Sequence, residues 1–111
     1  MQSNTSNISW SENIVNLLVK KRIKHACISP GSRNTPLTHA LIKEKSFKCI
    51  SHIDERSNGF FSLGIAKKTK SPALVLTTSG TATANLLPAI IEAYYSMIPL
   101  IIITADRPKN L

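Results

Sequence analysis

The segment Ala73-Leu74-Val75-Leu76-Thr77 is an unbroken apolar run closed by a β-branched residue, and it lies between Pro72 and a polar turn that begins at Thr78. A strand that is apolar on both faces is typical of a parallel sheet, where helices cover both sides. The segment therefore predicts a buried strand in the interior of an α/β protein.

Further strands and helices are predicted on either side of this segment. Each strand follows a stretch in which apolar residues recur at helical spacing, so the order is helix then strand, four times over. The predicted helices are 10–23, 35–41, 57–68 and 82–95, and the other predicted strands are His25–Ile28, 47–52 and 100–103. Strands separated by helices of this length are parallel, with right-handed crossovers. The predicted fold class is α/β, a parallel sheet with helices on both faces.

Local signals add four expectations to this outline. Thr35, which precedes a proline, is the expected N-cap of the second helix. Phe60 and Phe61 are expected on the packed face of the third helix, and Pro88 is expected to kink the fourth. The run 100–103, with three consecutive isoleucines, is expected to be the most strongly buried strand.

Length and composition predict one domain, residues 10–111, preceded by a polar tail, residues 1–9. The chain has 111 residues, 42% of them hydrophobic, and no apolar run approaches the roughly 20 residues of a membrane span. The first residues lack the basic start and apolar core of a secretory signal, so we expect a cytoplasmic location. Cys27 and Cys49 lie in strand-like runs, where we expect buried, reduced thiols.

The formal charge of +8, from 14 basic and 6 acidic residues, raises the question of a nucleic-acid partner. Most lysines, however, fall near predicted helix ends, where cations complement the helix dipole. Aromatic residues are few and do not alternate with basic ones, so nucleic-acid binding is a second-rank hypothesis. His25, His39 and His52 share no metal-ligand spacing, and no metal site is predicted in the chain.

Candidate functional side chains follow the predicted strands. In a parallel sheet all strand carboxyl ends meet at one edge, and ligands bind in the crevice outside it. The four segments at this edge are 29–33, 52–56, 78–81 and 104–108. Arg33 and Arg107 would offer planar, bidentate recognition of carboxylate or phosphate groups. Ser79 and Gly80 are small enough to let a ligand approach the backbone closely.

Each of these groups also has a purely structural interpretation. Asp54 and Glu55 lie where the positive end of a helix dipole stabilises carboxylates, so Asp54 could cap the helix while Glu55 is solvated and Arg56 pairs loosely with one of them. The following apolar face places at least one carboxylate at the edge of a low-dielectric region, which is useful to chemistry. Ser32 could be a cap, and 78–81 an ordinary turn.

Four strings in this order carry a resemblance to a known family. They are SPGSRNTPL at 29–37, HIDER at 52–56 with GFF at 59–61, TSGTA at 78–82 with ANL at 84–86, and TADRP at 104–108. Together they closely resemble the amino-terminal, pyrimidine-binding domain of thiamine-diphosphate enzymes, whose fold is an α/β parallel sheet. Within that superfamily they are similar to the 2-succinyl-5-enolpyruvyl-6-hydroxy-3-cyclohexene-1-carboxylate synthases of menaquinone or phylloquinone biosynthesis, from about residue 10 to residue 111.

The resemblance implies a thiamine-diphosphate-dependent transferase that decarboxylates 2-oxoglutarate and adds the resulting succinyl carbanion equivalent to isochorismate. It implies Mg²⁺ or Mn²⁺ as the metal and a homodimer, or a dimer of dimers, with the active site between subunits. The residues that match family positions are Glu55 for cofactor activation, Ser32, Arg33 and Arg107 for isochorismate, and Thr78, Ser79 and Gly80 near the pyrimidine.

The chain departs from the family in its length. Members are several times longer, and they hold the diphosphate and metal with a domain that has no counterpart in these 111 residues. We therefore expect an incomplete pyrimidine domain that is inactive alone. Two alternatives stay open: another thiamine-diphosphate 2-oxoacid decarboxylase, such as an acetolactate-synthase-like enzyme, and a non-catalytic anion-binding module.

Overall fold

The computed structural model describes residues 2–110 of the chain, and the side chains of residues 5–110. The helices are α1 (Gln2–Lys20), α2 (Thr35–Lys43), α3 (Glu55–Thr69), α4 (Thr81–Ala84) and α5 (Leu87–Tyr95). The strands are β1 (His25–Ile28), β2 (Lys48–Ser51), β3 (Ala73–Thr77) and β4 (Leu100–Thr104), and a short 3₁₀ helix, Ser32–Asn34, precedes α2. None of these helices is long and apolar enough to cross a membrane.

The four strands form one sheet in the order β2-β1-β3-β4, and every neighbouring pair is parallel. This confirms the predicted α/β fold class. From β1 the chain first adds a strand on one side, β2, and then returns to add β3 on the other side. The direction of winding therefore reverses between β1 and β3, which is the position where open α/β sheets bind ligands.

Helices cover both faces of the sheet. On one face, α1 and α2 pack together and share a core cluster with Ala26 and Ile28 of β1 and with Leu74 and Leu76 of β3. Side chains alternate along a strand, so the residues between these face the opposite side, where α3 packs on β1 and β3. Both faces of β3 are thus buried, as its unbroken apolar run predicts.

The two cysteines lie on neighbouring strands and are free thiols. Cys27 of β1 is fully buried, whereas Cys49 of β2 is half-buried and its thiol donates to the Leu41 carbonyl oxygen at 3.6 Å. Burial raises the pKa of the Cys27 thiol, and a hydrogen bond with Ser62 offsets part of that effect. Burial also raises the pKa of Cys49.

The first helix is longer at its start than the sequence predicts. It begins at Gln2 rather than at residue 10, and residues 5–9 form exposed helical turns. This stretch contains no glycine or proline to break the helix, although its Ser, Thr and Asn residues are weak helix formers and are exposed. The division into a tail and a domain at residue 10 stays a prediction.

Two helix boundaries also differ from expectation. The N-cap of α2 is Asn34 rather than Thr35, because the preceding 3₁₀ helix brings the chain into helical form one residue earlier. The predicted helix 82–95 is not kinked at Pro88 but divided into α4 and α5. Pro88 lies in the first turn of α5, where its missing N–H group has no intrahelical partner to lose.

Burial is distributed differently from the expectation at α3 and β4. Phe60 and Phe61 are 42% and 44% exposed, and the packed face of α3 is instead formed by Asn58, Gly59, Ser62, Leu63 and Ala66.

The strand β4 is half-buried at all five positions, whereas β3 is buried at all five. The prediction that β4 is the most buried strand is therefore wrong, because β4 pairs with one neighbour in the sheet and β3 with two.

The close packing of α3 on α5 depends on Gly59. A Cβ atom at Gly59 would lie 2.8 Å from the Ala89 Cβ atom, whereas a Cβ atom at Gly64, on the same helix, would meet no atom within 4 Å. Both Gly→Ala changes gain the same helix propensity, so the difference between them isolates the clash. We predict that Gly59→Ala is less stable than Gly64→Ala by about 1–3 kcal/mol in urea unfolding. Equal unfolding free energies would contradict the packing of these two helices.

Candidate functional site

The parallel sheet brings the segments that follow all four strands to one edge. Across this edge they run in the order of the strands: the segment after β2, then those after β1, β3 and β4. The predicted residues therefore lie in the order Glu55, then Ser32 and Arg33, then the turn 78–80, then Arg107. Neighbouring strands are about 4.8 Å apart, so the segments after β2 and β4 are about 14 Å from each other.

The loops after β1 and β3 touch at the reversal point of the sheet. The Arg33 Nη1 atom donates a hydrogen bond to the Ser79 Oγ atom at 3.0 Å, although both groups are accessible to solvent. A Cβ atom at Gly31 would lie 2.5 Å from the Thr78 Cβ atom, closer than atoms can pack. The backbone at Gly31 is extended, so it is this contact that requires glycine there. The structure thus joins two predicted site residues, Arg33 and Ser79.

The turn after β3 is held by hydroxyl groups at its base. The Thr77 and Thr83 hydroxyl groups both donate to the Thr78 carbonyl oxygen, at 3.1 Å and 3.5 Å. Gly80 has a φ angle of 76°, which favours glycine, and a Cβ atom there would meet no atom within 4 Å. The turn therefore presents a short stretch of open backbone at the sheet edge.

Asp54 and Glu55 are neighbours with different surroundings. The Asp54 Oδ2 atom accepts hydrogen bonds from the Ser57 hydroxyl at 2.7 Å and the Ser57 backbone N–H at 2.8 Å. These two bonds lower the pKa of Asp54, with a smaller contribution from the positive charge of Arg56. Asp54 is thus the N-cap of α3, which agrees with the structural interpretation of this residue.

Glu55 is the first residue of α3 and is half-buried. Within residues 5–110, no hydrogen bond or ion pair reaches its carboxyl group. The group lies at the amino end of a helix of 15 residues, where unpaired backbone N–H groups favour negative charge. Because Asp54 already caps the helix, the Glu55 carboxyl group is free to bind another molecule.

His52 lies between the end of β2 and these two acids. Its backbone N–H donates to the Ile28 carbonyl oxygen at 2.9 Å and so extends the pairing of β2 with β1. Its ring packs against the ring of Phe61, with centroids 4.5 Å apart. The Nε2 atom is buried and has no partner among the residues whose side chains the structure describes.

Arg107 follows the edge strand β4 and is exposed. Its backbone N–H donates to the Asp106 Oδ1 atom at 2.7 Å. Asp106 and Arg33 share a cleft of about 250 Å³, which Trp10 and Leu37 also line. The structure therefore places Arg107 beside the cleft that holds Arg33 and does not bring it near Glu55, which lies at the opposite side of the sheet.

Sequence reasoning missed two buried asparagines at this edge, Asn34 and Asn58, which are 1% and 0% exposed. The Asn34 Nδ2 atom donates to the Ser29 carbonyl oxygen at 2.8 Å, and its Oδ1 atom accepts from the Gly31 N–H at 2.9 Å. Asn34 thereby closes the loop that carries Ser32 and Arg33. Their positions in the sequence could have indicated a buried role. Each asparagine follows a predicted strand and lies at the start of a helix, on the side that packs against the sheet.

Comparison with known proteins adds a family and several relatives. A family model described as "Thiamine pyrophosphate enzyme, N-terminal TPP binding domain" matches residues 8–111. The chain is similar to a protein of Histophilus somni (strain 129Pt) named 2-succinyl-5-enolpyruvyl-6-hydroxy-3-cyclohexene-1-carboxylate synthase, with 53% identity over 100% of this chain and 20% of the relative. A protein of the same name from Haemophilus influenzae (strain PittEE) is 50% identical over 100% of this chain and 20% of its own length. Another, from Shewanella loihica (strain ATCC BAA-1088 / PV-4), is 47% identical over 95% of this chain and 18% of its own length. The chain spans about a fifth of the length of these relatives.

The cap at Asp54 generates a prediction about pH. The pKa of Asp54 is lowered in the folded state, so its charge stabilises the fold above the ordinary pKa of about 3.9, and this contribution is lost as the pH falls through the folded-state pKa. Asp54→Asn keeps an acceptor at the cap but cannot titrate. We predict that the wild type has the higher Tm above about pH 5 and that the Tm difference shrinks as the pH drops below about 4. A difference that stays constant down to about pH 2 would contradict the cap's electrostatic role.

Proposed function

We propose a function from one premise: the chain belongs to the thiamine pyrophosphate enzymes, as their N-terminal TPP binding domain. The proposed function is that of the amino-terminal part of a 2-succinyl-5-enolpyruvyl-6-hydroxy-3-cyclohexene-1-carboxylate synthase. The observation that carries the proposal is the identity of about half of all residues, across the whole chain, with relatives of that name. The substrates would be 2-oxoglutarate and isochorismate, in menaquinone or phylloquinone biosynthesis.

The residues at the carboxyl edge fit the pyrimidine ring of thiamine diphosphate. The Glu55 carboxyl group is half-buried and unpaired within the described side chains, so it can accept or share a proton with a ring nitrogen. The turn of Thr78, Ser79 and Gly80 offers open backbone that a flat ring can approach. When bound, the cofactor would supply the thiazolium carbon on which a 2-oxo acid is decarboxylated.

In this proposal Glu55 acts on the N1′ ring nitrogen. At this position the Glu55 carboxyl group would share a proton with N1′, and this contact is the one by which it would activate the bound cofactor. Partial burial of Glu55 would strengthen its bond to the ring, because water would compete less for both groups.

Ser32, Arg33 and Arg107 are the proposed contacts of isochorismate, which carries two carboxylate groups. The Arg33 guanidinium group is held toward the reversal point by its bond to the Ser79 hydroxyl at 3.0 Å, and it keeps other N–H groups for a carboxylate. Arg107 lies next to Asp106, which shares the cleft with Arg33. Two guanidinium groups on one side of the sheet edge suit a dianion.

Mg²⁺ or Mn²⁺ is proposed as the metal, bound with the diphosphate by the part of the longer protein that this chain does not contain. Within residues 5–110 no three His, Cys, Asp or Glu side chains come together as a metal site. By itself the chain is proposed to be inactive.

The proposed role of Glu55 is tested in a chimera, in which residues 1–111 replace the matching segment of the Histophilus somni relative. Glu55→Gln keeps the shape of the side chain but cannot share a proton in the same way, so we predict a fall in kcat of about 10²–10⁴-fold. Glu44→Gln is the matched control: this carboxylate accepts from the Ser46 hydroxyl before β2 begins, at the end of the sheet opposite the candidate site, and the change should alter kcat less than about twofold.

The same assay separates the proposed substrates from those of an acetolactate-synthase-like enzyme. The chimera should consume 2-oxoglutarate and isochorismate together and should not consume pyruvate alone. Turnover of Glu55→Gln equal to that of the wild type would refute the role of Glu55, and turnover of pyruvate alone would refute the substrate assignment.

A second copy of the protein is the proposed partner, bound through the outer face of α5. Leu87, Tyr94 and Tyr95 are 56%, 77% and 80% exposed there, and Glu92 is the single charged residue of this helix. Large exposed apolar patches on soluble proteins are typical of protein–protein contacts.

The thiols of Cys27 and Cys49 favour a reducing compartment, so we propose a cytoplasmic location, which cell fractionation would check.

We predict that Ile91→Glu, a charge in the middle of the α5 face, shifts the chimera from dimer toward monomer in light scattering at micromolar concentration. A buried unpaired charge at an interface is strongly unfavourable, whereas the same change at an exposed apolar residue elsewhere is not. Ile42→Glu on α2 is the control, because Ile42 is exposed to a similar degree, 65% against 47% for Ile91. An unchanged dimer with Ile91→Glu would exclude this face as the interface.

A further inference from the structure

A buried side chain of α3 reaches the loop after β1. The Asn58 Nδ2 atom donates to the Cys27 carbonyl oxygen at 3.1 Å and to the Ser29 Oγ atom at 2.9 Å. The Ser29 carbonyl oxygen in turn accepts from Asn34, whose side chain closes the loop at Gly31. Ser29 therefore links α3 to the loop of Ser32 and Arg33, with its side chain bonded to Asn58 and its carbonyl oxygen bonded to Asn34.

Asparagine is the one side chain of this size that can make this set of bonds. Both Nδ2 protons of Asn58 are used, and its Oδ1 atom accepts from the Ser62 hydroxyl at 3.0 Å. Aspartate of the same shape has no donor for the Cys27 carbonyl, and leucine has neither donor nor acceptor. Asn58 is 0% exposed, so water cannot replace a bond that is lost.

The position of Asn58 in α3 ties these bonds to Glu55. The Asn58 backbone N–H donates to the Asp54 carbonyl oxygen at 3.0 Å and so closes the first turn of the helix, which begins with Glu55. The backbone of Asn58 thus fixes the turn that carries the acid, while its side chain fixes the loop that carries Arg33. No other side chain in residues 5–110 is hydrogen-bonded in this way to both segments.

We propose that Asn58 is a positioning residue: through Ser29 it holds the loop of Ser32 and Arg33 at a fixed distance from Glu55. The inference rests on the proposed function, because it assumes that Glu55 acts on the cofactor and that the loop holds the substrate. Displacements of about 1 Å between groups that must act together can cost about 10²-fold in rate. The bond between Asn58 and Ser29 would therefore affect turnover as well as stability.

The experiment compares three substitutions in the chimera that contains residues 1–111. Asn58→Ala removes the whole connection, and we expect kcat to fall about 10²-fold. Ser29→Ala removes only the hydroxyl that receives the bond, so it folds more readily, and we expect a fall of about tenfold. Ser62→Ala is the matched control: it removes an equally buried hydroxyl from the same amide, on the side away from the loop, and should change kcat less than about threefold.

If Asn58 served stability alone, kcat would follow the loss of thermal stability in all three variants. If Asn58 positions the loop, all three variants should lose thermal stability, but kcat should fall much more in Asn58→Ala and Ser29→Ala than in Ser62→Ala. Hydrogen exchange of the protein without cofactor is the second readout: Asn58→Ala should speed exchange in both 29–34 and 54–58, and Ser62→Ala should not. The inference is overturned if Ser62→Ala lowers kcat as much as Asn58→Ala, or if Asn58→Ala leaves kcat or exchange at 29–34 unchanged.

The experiments distinguish an error in the proposed role of Glu55 from an error in the proposed role of Asn58. If Glu55→Gln stays fully active, the assumed role of the acid is wrong, whereas hydrogen exchange still reports on the link between the two segments. If Glu55→Gln is inactive and Asn58→Ala is fully active, only the positioning role of Asn58 is wrong.

Discussion

The parallel pairing of β1 with both of its neighbours is the constraint on which the rest of the structure depends. Only four residues long, β1 pairs with β2 along its whole length and with β3 from Ala26 to Ile28. Parallel pairing sends every following loop to the same edge, and the position of β1 between β2 and β3 makes the winding reverse there. The proximity of Arg33 and Ser79, 46 residues apart in sequence, follows from this arrangement.

The sequence predicted the order, direction and class of the main elements because these depend on strong, repeated signals. The continuous apolar run of β3 and the helical spacing around it leave little choice of fold. Burial of β4 was not predictable in the same way, since an edge strand and a central strand can have the same composition. The exposed rings of Phe60 and Phe61 show the same limit, because an apolar pattern does not say which partner covers it.

The candidate site was predictable as a set of segments but not as a set of contacts. Strand ends identified the loops of Arg33, Glu55, Ser79 and Arg107, and the parallel sheet places them along one edge. What the sequence could not show is which of them touch. The contact of Gly31 with Thr78 and the amide bonds of Asn34 depend on atomic distances across the sheet, and no local pattern encodes those distances. Asp54 caps α3, whereas Glu55 stays unpaired among the described side chains. This difference also depends on a third residue, Ser57, whose backbone N–H donates to Asp54.

The buried thiol of Cys27 has a practical consequence. Its raised pKa keeps it protonated at neutral pH, and the thiolate is the form that attacks alkylating reagents and peroxides. In the folded chain Cys27 should therefore react with neither, although it lies in the central strand next to the site. Cys27 gains reactivity only when β1 separates from α3, which packs on it. The rate at which a reagent labels this sulfur atom therefore reports how often β1 is exposed by local unfolding.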